Sequence, residues 1–260
     1  MNYGKRSTSK KQKSMHSKTA KAGKKASVIF IKAFLICLLA VGVVGLCAGV
    51  GIVKGVIDNA PDIDSTSVIP RGYKSVMVDS EGNKMAELIT AGSNRVWVDI
   101  DKIPEHVQNA FVDVEDERFY EHNGIDLKGI IRAGVKGIAS GFKKTEGAST
   151  ITQQLLKNSV FDFMSEDTLV EKIERKLQEQ YLALELEKIM TKDEILEAYL
   201  NSINLGQNTL GIQAAANRYF NKDVSELTVS EAAVIAGITK SPTKYNPVTD
   251  SEENAKRREI

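Results

Sequence analysis

An uninterrupted apolar run from Ala33 to Val53 (AFLICLLAVGVVGLCAGVGIV) constrains this chain more than any other stretch. It carries no charge, and as a helix it is long enough to cross the ~30 Å hydrocarbon core of a bilayer. Lys32 stands at its N-terminal edge, where a lysine can snorkel toward the headgroups. Upstream, residues 1–25 hold nine Lys and Arg, no acid and few large apolar groups, which predicts a disordered basic tail. The positive flank predicts a cytoplasmic N-terminus, with everything after the span on the outer side of the membrane. A cleaved signal peptide is the alternative. Its apolar region is normally shorter and ends in a compact small-residue cleavage site.

Charge then separates the tail from the body. Without the nine tail cations, 26 basic residues face 34 acidic ones, a formal −8. A nucleic-acid binder would carry its positive charge on the folded domain, so no nucleic-acid partner is expected. The two cysteines, Cys37 and Cys47, both lie in the apolar run, which excludes a disulfide framework. The expected organisation is a tail over 1–27, a transmembrane signal anchor over 28–53, a linker over 54–70 and a body over 71–250. Residues 251–260 read as the start of a C-terminal helix or a truncated continuation.

The body opens with strand patterns at Tyr73–Val78 and Lys84–Leu88 around the turn Asp79-Ser80-Glu81-Gly82-Asn83, and Arg95–Ile100 is a third candidate strand. Beyond it the periodicity is helical. Val107, Ala110, Phe111 and Val114 form one stripe after Pro104; Leu127, Ile130, Ile131, Val135 and Ile138 form another, with Asp126 as its cap. Capping-box pairs at Thr150/Gln153, Thr168/Glu171, Thr191/Glu194 and Thr228/Glu231 mark later helix starts. The fold class expected is mainly α, with a small β element near the N-terminus of the body.

Three stretches have the residue types for chemistry. Glu115–Asp126 (EDERFYEHNGID) places clustered carboxylates at a helix end, where like charges need compensation if they are buried. Gly147–Asn158 (GASTITQQLLKN) opens a helix whose N–H groups, with the Ser149 and Thr150 hydroxyls, suit an anion. In the third, Arg175, Glu179, Leu182 and Leu186 share a face, so a carboxylate and two cations (Arg175, Lys176) lie beside apolar surface. Each stretch alone is equally readable as a capped or ion-paired surface helix.

Together and in order, they resemble the peptidoglycan glycosyltransferase domain (glycosyltransferase family 51) of class A penicillin-binding proteins and of monofunctional glycosyltransferases. Glu115, Asp116, Phe119, His122 and Gly124 meet the family's first motif, Gly147–Gln154 the second, and Arg175, Lys176 and Glu179 the third. Ile195, Leu196, Tyr199, Leu200 and Asn201 meet a fourth, and Tyr219-Phe220, Glu231–Ala233 and Pro242 are similar to a fifth. Asn221 departs from a usual Gly, Ser202–Gly206 lacks common aromatics, and Glu171 lies where relatives often carry a basic residue, for which Lys172 is the substitute.

The resemblance implies a lysozyme-like α fold that polymerises lipid II by inverting transfer to an acceptor 4-hydroxyl, with Glu115 as general base and Glu179 as second catalytic carboxylate. It implies substrate contacts at Asp116, Ser149, Thr150, Gln153, Gln154, Lys157, Arg175, Lys176 and Asn201. It also implies a divalent metal (Mg or Mn) with Glu179 as candidate ligand. The implied partners are lipid II, the growing glycan strand, the bilayer and other cell-wall synthesis proteins. A lysozyme-like hydrolase or lytic transglycosylase and a non-catalytic membrane-anchored scaffold remain as alternatives. Ser7–Lys10 and Ser241–Lys244 match a penicillin-binding Ser-x-x-Lys pattern, but both read as accidental, so no transpeptidase is expected within these residues.

Overall fold

The computed structural model describes residues 18–70, 72, 75–88, 94–141, 147–161 and 168–259. The chain divides into two compact units, Met1–Asp58 and Asn59–Ile260. The first consists, where described, of one helix, α1 (Lys18–Asp58). Its segment Lys25–Asp58, whose most apolar 18 residues have a mean hydropathy of 2.7, is among the described residues the one helix long and apolar enough to cross a membrane.

The second unit begins with the expected hairpin, β1 (Ser75–Val78) antiparallel to β2 (Lys84–Leu88), with Ser75 opposite Leu88 and Met77 opposite Ala86. Asp79 organises the turn: its Oδ1 accepts from the backbone N–H groups of Glu81 (2.9 Å) and Asn83 (2.8 Å). Tyr73 and Lys74, at the start of the expected first strand, lie outside the described residues.

Residues 95–100 do not form the third strand. They are irregular up to a 3-10 turn that starts at Ile100, and side chains replace the neighbouring strand. The Val98 N–H donates to Asn201 Oδ1 (2.8 Å), the Val98 carbonyl accepts from Asn201 Nδ2 (2.8 Å), and the Ile100 N–H donates to Glu197 Oε2 (2.7 Å). Backbone polar groups need partners in any folded segment, and here a helix supplies them.

The rest is helical: α2 (Glu105–Glu115), α3 (Leu127–Ala139), α4 (Ile151–Ser159), α5 (Leu169–Ile189), α6 (Lys192–Ser202), α7 (Ile212–Phe220), α8 (Val229–Ile238) and α9 (Ser251–Arg258). One core unites α2 and α4–α8, with Phe111, Phe119, Leu155, Leu182, Leu186, Ile195 and Tyr199 all buried. Helix α4 packs between α5 and α6, and α2 lies on α8.

Complete capping boxes form at Thr168/Glu171, Thr191/Glu194 and Thr228/Glu231. That use accounts for an acid at 171, where relatives often carry a base. Thr150 caps α4 through the Gln153 N–H, but the Gln153 amide turns instead to the Gly124 carbonyl (3.3 Å). Asp126 precedes α3 without capping it; its carboxylate is taken by Arg118. Asn221, in place of the usual Gly, ends α7 in the left-handed region (φ 52°), which Asn tolerates better than other side-chain-bearing residues.

The stripe on α3 does not face the core. Leu127, Ile131, Val135 and Ile138 are all more than 60% exposed, while Gly129 and Gly137 are the helix's buried residues. Leu169, Val170 and Ile173, at the start of α5, are exposed as well.

Two tests follow from this packing. Gly124 has φ +86° and lies so close to α5 that a Cβ would sit 2.5 Å from the Ala183 carbonyl oxygen. Gly124→Ala is expected to destabilise the fold by about 2–4 kcal/mol, read as a lowered midpoint of thermal unfolding. The Lys222 ammonium, followed by the Thr228 N–H, pulls the Glu231 carboxyl from its usual 4.5 down to about 2. Because the folded value is lowered, this stabilisation is complete above the ordinary carboxylate range and is lost as pH falls through about 2. An NMR titration of Glu231 should show that midpoint, and Lys222→Met should return it toward 4.5.

Candidate active site

The last turn of α2 delivers two adjacent carboxylates in opposite senses. Asp116 turns inward and is 7% exposed. It accepts the Ile151 N–H at the start of α4 (3.0 Å), so a carboxylate occupies the positive end of that helix. His122 Nε2 lies 3.0 Å from both Asp116 oxygens. A carboxylate there requires Nε2 to be the donor, and His122 Nδ1 is buried without a hydrogen-bond partner among the described residues.

Glu115 stays half-buried and meets two neutral donors from distant elements. Gln154 Nε2 donates to its Oε2 (2.7 Å), and the Thr239 hydroxyl, just past α8, donates to its Oε1. The orientation of Gln154 is itself set, because its Oε1 accepts from the Tyr199 hydroxyl (3.4 Å). Complete burial, then the nearby charges of Glu115 and Asp116, push the Tyr199 hydroxyl well above its ordinary value, so it remains a donor. That leaves the Gln154 NH2 group for Glu115.

Thr150 and Gln153 are buried at the start of α4 and both donate to the Gly124 carbonyl, from the hydroxyl (2.7 Å) and the side-chain amide (3.3 Å). The first two motifs are thereby joined through backbone. Lys157 is exposed one turn beyond Gln153.

The third motif is an ion cluster on α5. Glu179 is fully buried; Arg175 donates to its Oε1 and Lys176 Nζ to its Oε2 (2.6 Å). Lys176 Nζ also donates to Ser149 Oγ (3.1 Å), which brings the second and third motifs together. The Lys176 side chain remains 43% exposed. The residues do not fit a resident divalent cation at Glu179. Both of its oxygens are held by cations, and no group of three His, Cys, Asp or Glu converges among the described residues.

Asn201 stands apart from this constellation. It is fully buried, and its amide is saturated by Val98 and the Glu197 carbonyl, so it braces the 95–100 segment rather than facing a ligand. Lys244, from the Ser241–Lys244 pattern, pairs with Glu253 (3.2 Å), whereas Ser7–Lys10 lies outside the described residues. Sequence reasoning missed Thr239 and the orienting role of Tyr199. A threonine in a turn carries no signal of its own. Tyr199 was visible only as a motif position.

A family model described as Transglycosylase matches residues 81–260. Penicillin-binding protein 1A of Clostridium perfringens (strain 13 / Type A) is 43% identical over 233 residues, which cover 88% of this chain and 33% of that protein. Penicillin-binding proteins 1A/1B and 1F of Bacillus subtilis (strain 168) are 39% and 46% identical over 99% and 71% of this chain, and over 27% and 25% of their own lengths. The chain thus spans about a third or less of these relatives. With the motif residues converging on α2, α4 and α5, the chain belongs to the transglycosylase family, as a peptidoglycan glycosyltransferase domain related to those of class A penicillin-binding proteins.

Proposed function

We propose that this chain polymerises lipid II, a disaccharide-peptide carried on undecaprenyl diphosphate, into glycan strands. The observation that carries the reading is the contrast between the two carboxylates. Among the described residues Glu115 is hydrogen-bonded by the neutral donors Gln154 and Thr239, whereas Glu179 is buried beneath two cations. Acid–base chemistry and charge neutralisation want those different surroundings.

In this mechanism the acceptor 4-hydroxyl oxygen forms a bond to the anomeric carbon of the donor strand. Glu115 takes the hydroxyl proton, and the bond from that carbon to the phosphate oxygen breaks. One displacement inverts the anomeric centre, and undecaprenyl diphosphate leaves with the electron pair. A diphosphate needs its developing charge met rather than a proton, and Arg175, Lys176 and Lys157 are the cations for it. Glu179 holds the first two in place. Asp116, Thr150 and Gln153 fix the relative positions of α2, α4 and the 124 turn, while Ser149 and Gln154 orient Lys176 and Glu115.

The same reading gives the apolar span a purpose. A substrate with an isoprenoid tail stays at the bilayer, and the outward Leu127, Ile131, Val135 and Ile138 suit that environment. With the basic tail in the cytoplasm, transfer takes place on the outer side of the membrane, where cell-wall synthesis proteins are the natural partners.

Detergent-solubilised protein supplied with labelled lipid II should form polymer, and Glu115→Gln should lower the rate at least about 100-fold. Cleavage of preformed glycan instead would establish the hydrolase alternative, and activity unaffected by the substitution would remove Glu115 from the chemistry. Tyr199→Phe should lose about 1 kcal/mol of stability and roughly tenfold in polymerisation rate, because Gln154 is no longer oriented toward Glu115. Thermal unfolding and the lipid II assay together measure both effects.

A further inference from the structure

The two side chains that donate to Glu115 differ in kind, and one of them is able to change direction. On the Oε2 side, Gln154 presents its NH2 group (2.7 Å). The far end of that amide accepts from the Tyr199 hydroxyl (3.4 Å), so its orientation is fixed and the nitrogen has only protons to offer Glu115. On the Oε1 side stands the Thr239 hydroxyl. A hydroxyl has one proton and two lone pairs, and so donates and accepts at once.

The surroundings of Thr239 present its one proton with two acceptors. Oγ1 is within hydrogen-bond reach of Glu115 Oε1, and it lies 2.8 Å from the Ala236 carbonyl oxygen. The second contact is local. Thr239 ends α8 with right-handed helical backbone (φ −51°, ψ −41°), where a threonine hydroxyl readily turns back onto the carbonyl three residues earlier. That carbonyl already accepts the Thr239 N–H (3.3 Å), and its second lone pair is available to the hydroxyl.

The first contact is not local, since Glu115 lies 124 residues away in the chain. The two acceptors compete for one proton, and the charge on Glu115 decides between them. Hydrogen bonds to an ionised acceptor are roughly twice as strong as neutral ones, so a carboxylate draws the hydroxyl proton to itself. A neutral carboxyl loses that advantage, and the carbonyl then receives the proton.

We propose that Thr239 is a positioning residue whose hydrogen bonds follow the protonation of Glu115. Before transfer its hydroxyl donates to the carboxylate and, with Gln154, aims it. Once Glu115 has taken the acceptor sugar's proton, the carboxyl O–H is donated to Thr239 Oγ1. The Thr239 proton, still bonded to its own oxygen, turns to the Ala236 carbonyl. Loss of the carboxyl proton to solvent reverses the turn. No covalent bond to Thr239 forms or breaks. The inference rests on the reading of Glu115 as general base and deepens it: Oε1 keeps a partner in both charge states, which an N–H donor could not provide.

The test compares Thr239→Val, which keeps the shape and removes the hydroxyl, with Thr239→Ser, which keeps the hydroxyl, in the full chain in detergent. With labelled lipid II, Thr239→Val should lower kcat roughly tenfold and leave KM within about twofold of the parent, because Thr239 acts through Glu115. Thr239→Ser should restore kcat to within about threefold of the parent. The contact is also read without turnover. Thr239→Val should lower the thermal unfolding midpoint of the parent by about 2–4 °C, and by less than half as much when Glu115→Ala is already present. Full turnover by Thr239→Val, or an equal loss in Thr239→Ser, overturns the proposal, as does an equal midpoint shift in the two backgrounds. A parent that makes no polymer but shows the coupled midpoints supports the Thr239–Glu115 pairing and counts against the transfer reading alone.

Discussion

The carboxylate of Asp116 is the tie on which the site depends. It ends α2, receives the first N–H of α4, 35 residues further along the chain, and accepts from His122, six residues away. A buried carboxylate is unfavourable unless hydrogen bonds satisfy it, and here a helix N-terminus and an imidazole do so. Because Glu115 is the preceding residue and Gln154 lies on the first turn of α4, the same tie brings the carboxylate proposed as base and its amide donor within 2.7 Å. Gly124 completes the join, with its carbonyl held by Thr150 and Gln153 and its positive φ admitting the turn against α5.

The two acids proposed for the chemistry are placed in unlike surroundings by quite ordinary packing. Glu179 is held in the core because Leu182 and Leu186 continue its face of α5, and the cations at 175 and 176 are one turn away. Glu115 remains half-buried because its helix stops there. Neither position needs an unusual backbone. Among the described residues, the non-glycine positions with positive φ are elsewhere, at 207, 208 and 221.

Local signals were legible in the sequence, and distant pairings were not. Capping boxes depend on residues three apart, and those at Thr168, Thr191 and Thr228 form in full. Thr150 departs because the Gln153 side chain has a partner 29 residues away in Gly124. Residues 95–100 have a strand's composition, yet their backbone is satisfied by Asn201 and Glu197, about a hundred residues later, which periodicity cannot reveal. On α3 the apolar stripe was correctly located, but its direction was not: hydrophobic periodicity identifies a face without saying whether protein or another medium covers it. For the site, motif residues on α2, α4 and α5 converge because helices present them at fixed spacing. Thr239, coming from a turn after α8, had no such pattern, and Asn201 shares a motif while serving the backbone.

Lys176 has a consequence that bears on speed rather than position. A free lysine loses about 1.5–2 kcal/mol of rotamer freedom when it is immobilised. Here the ammonium is already tethered to Glu179 on its own helix and to Ser149, just before the cap of α4, while the side chain remains 43% exposed. Much of the ordering is therefore done when the chain folds, not each time an anion arrives. Under the proposed transfer reaction that entropy is lost once, at folding, whereas a mobile cation would lose it each time substrate binds.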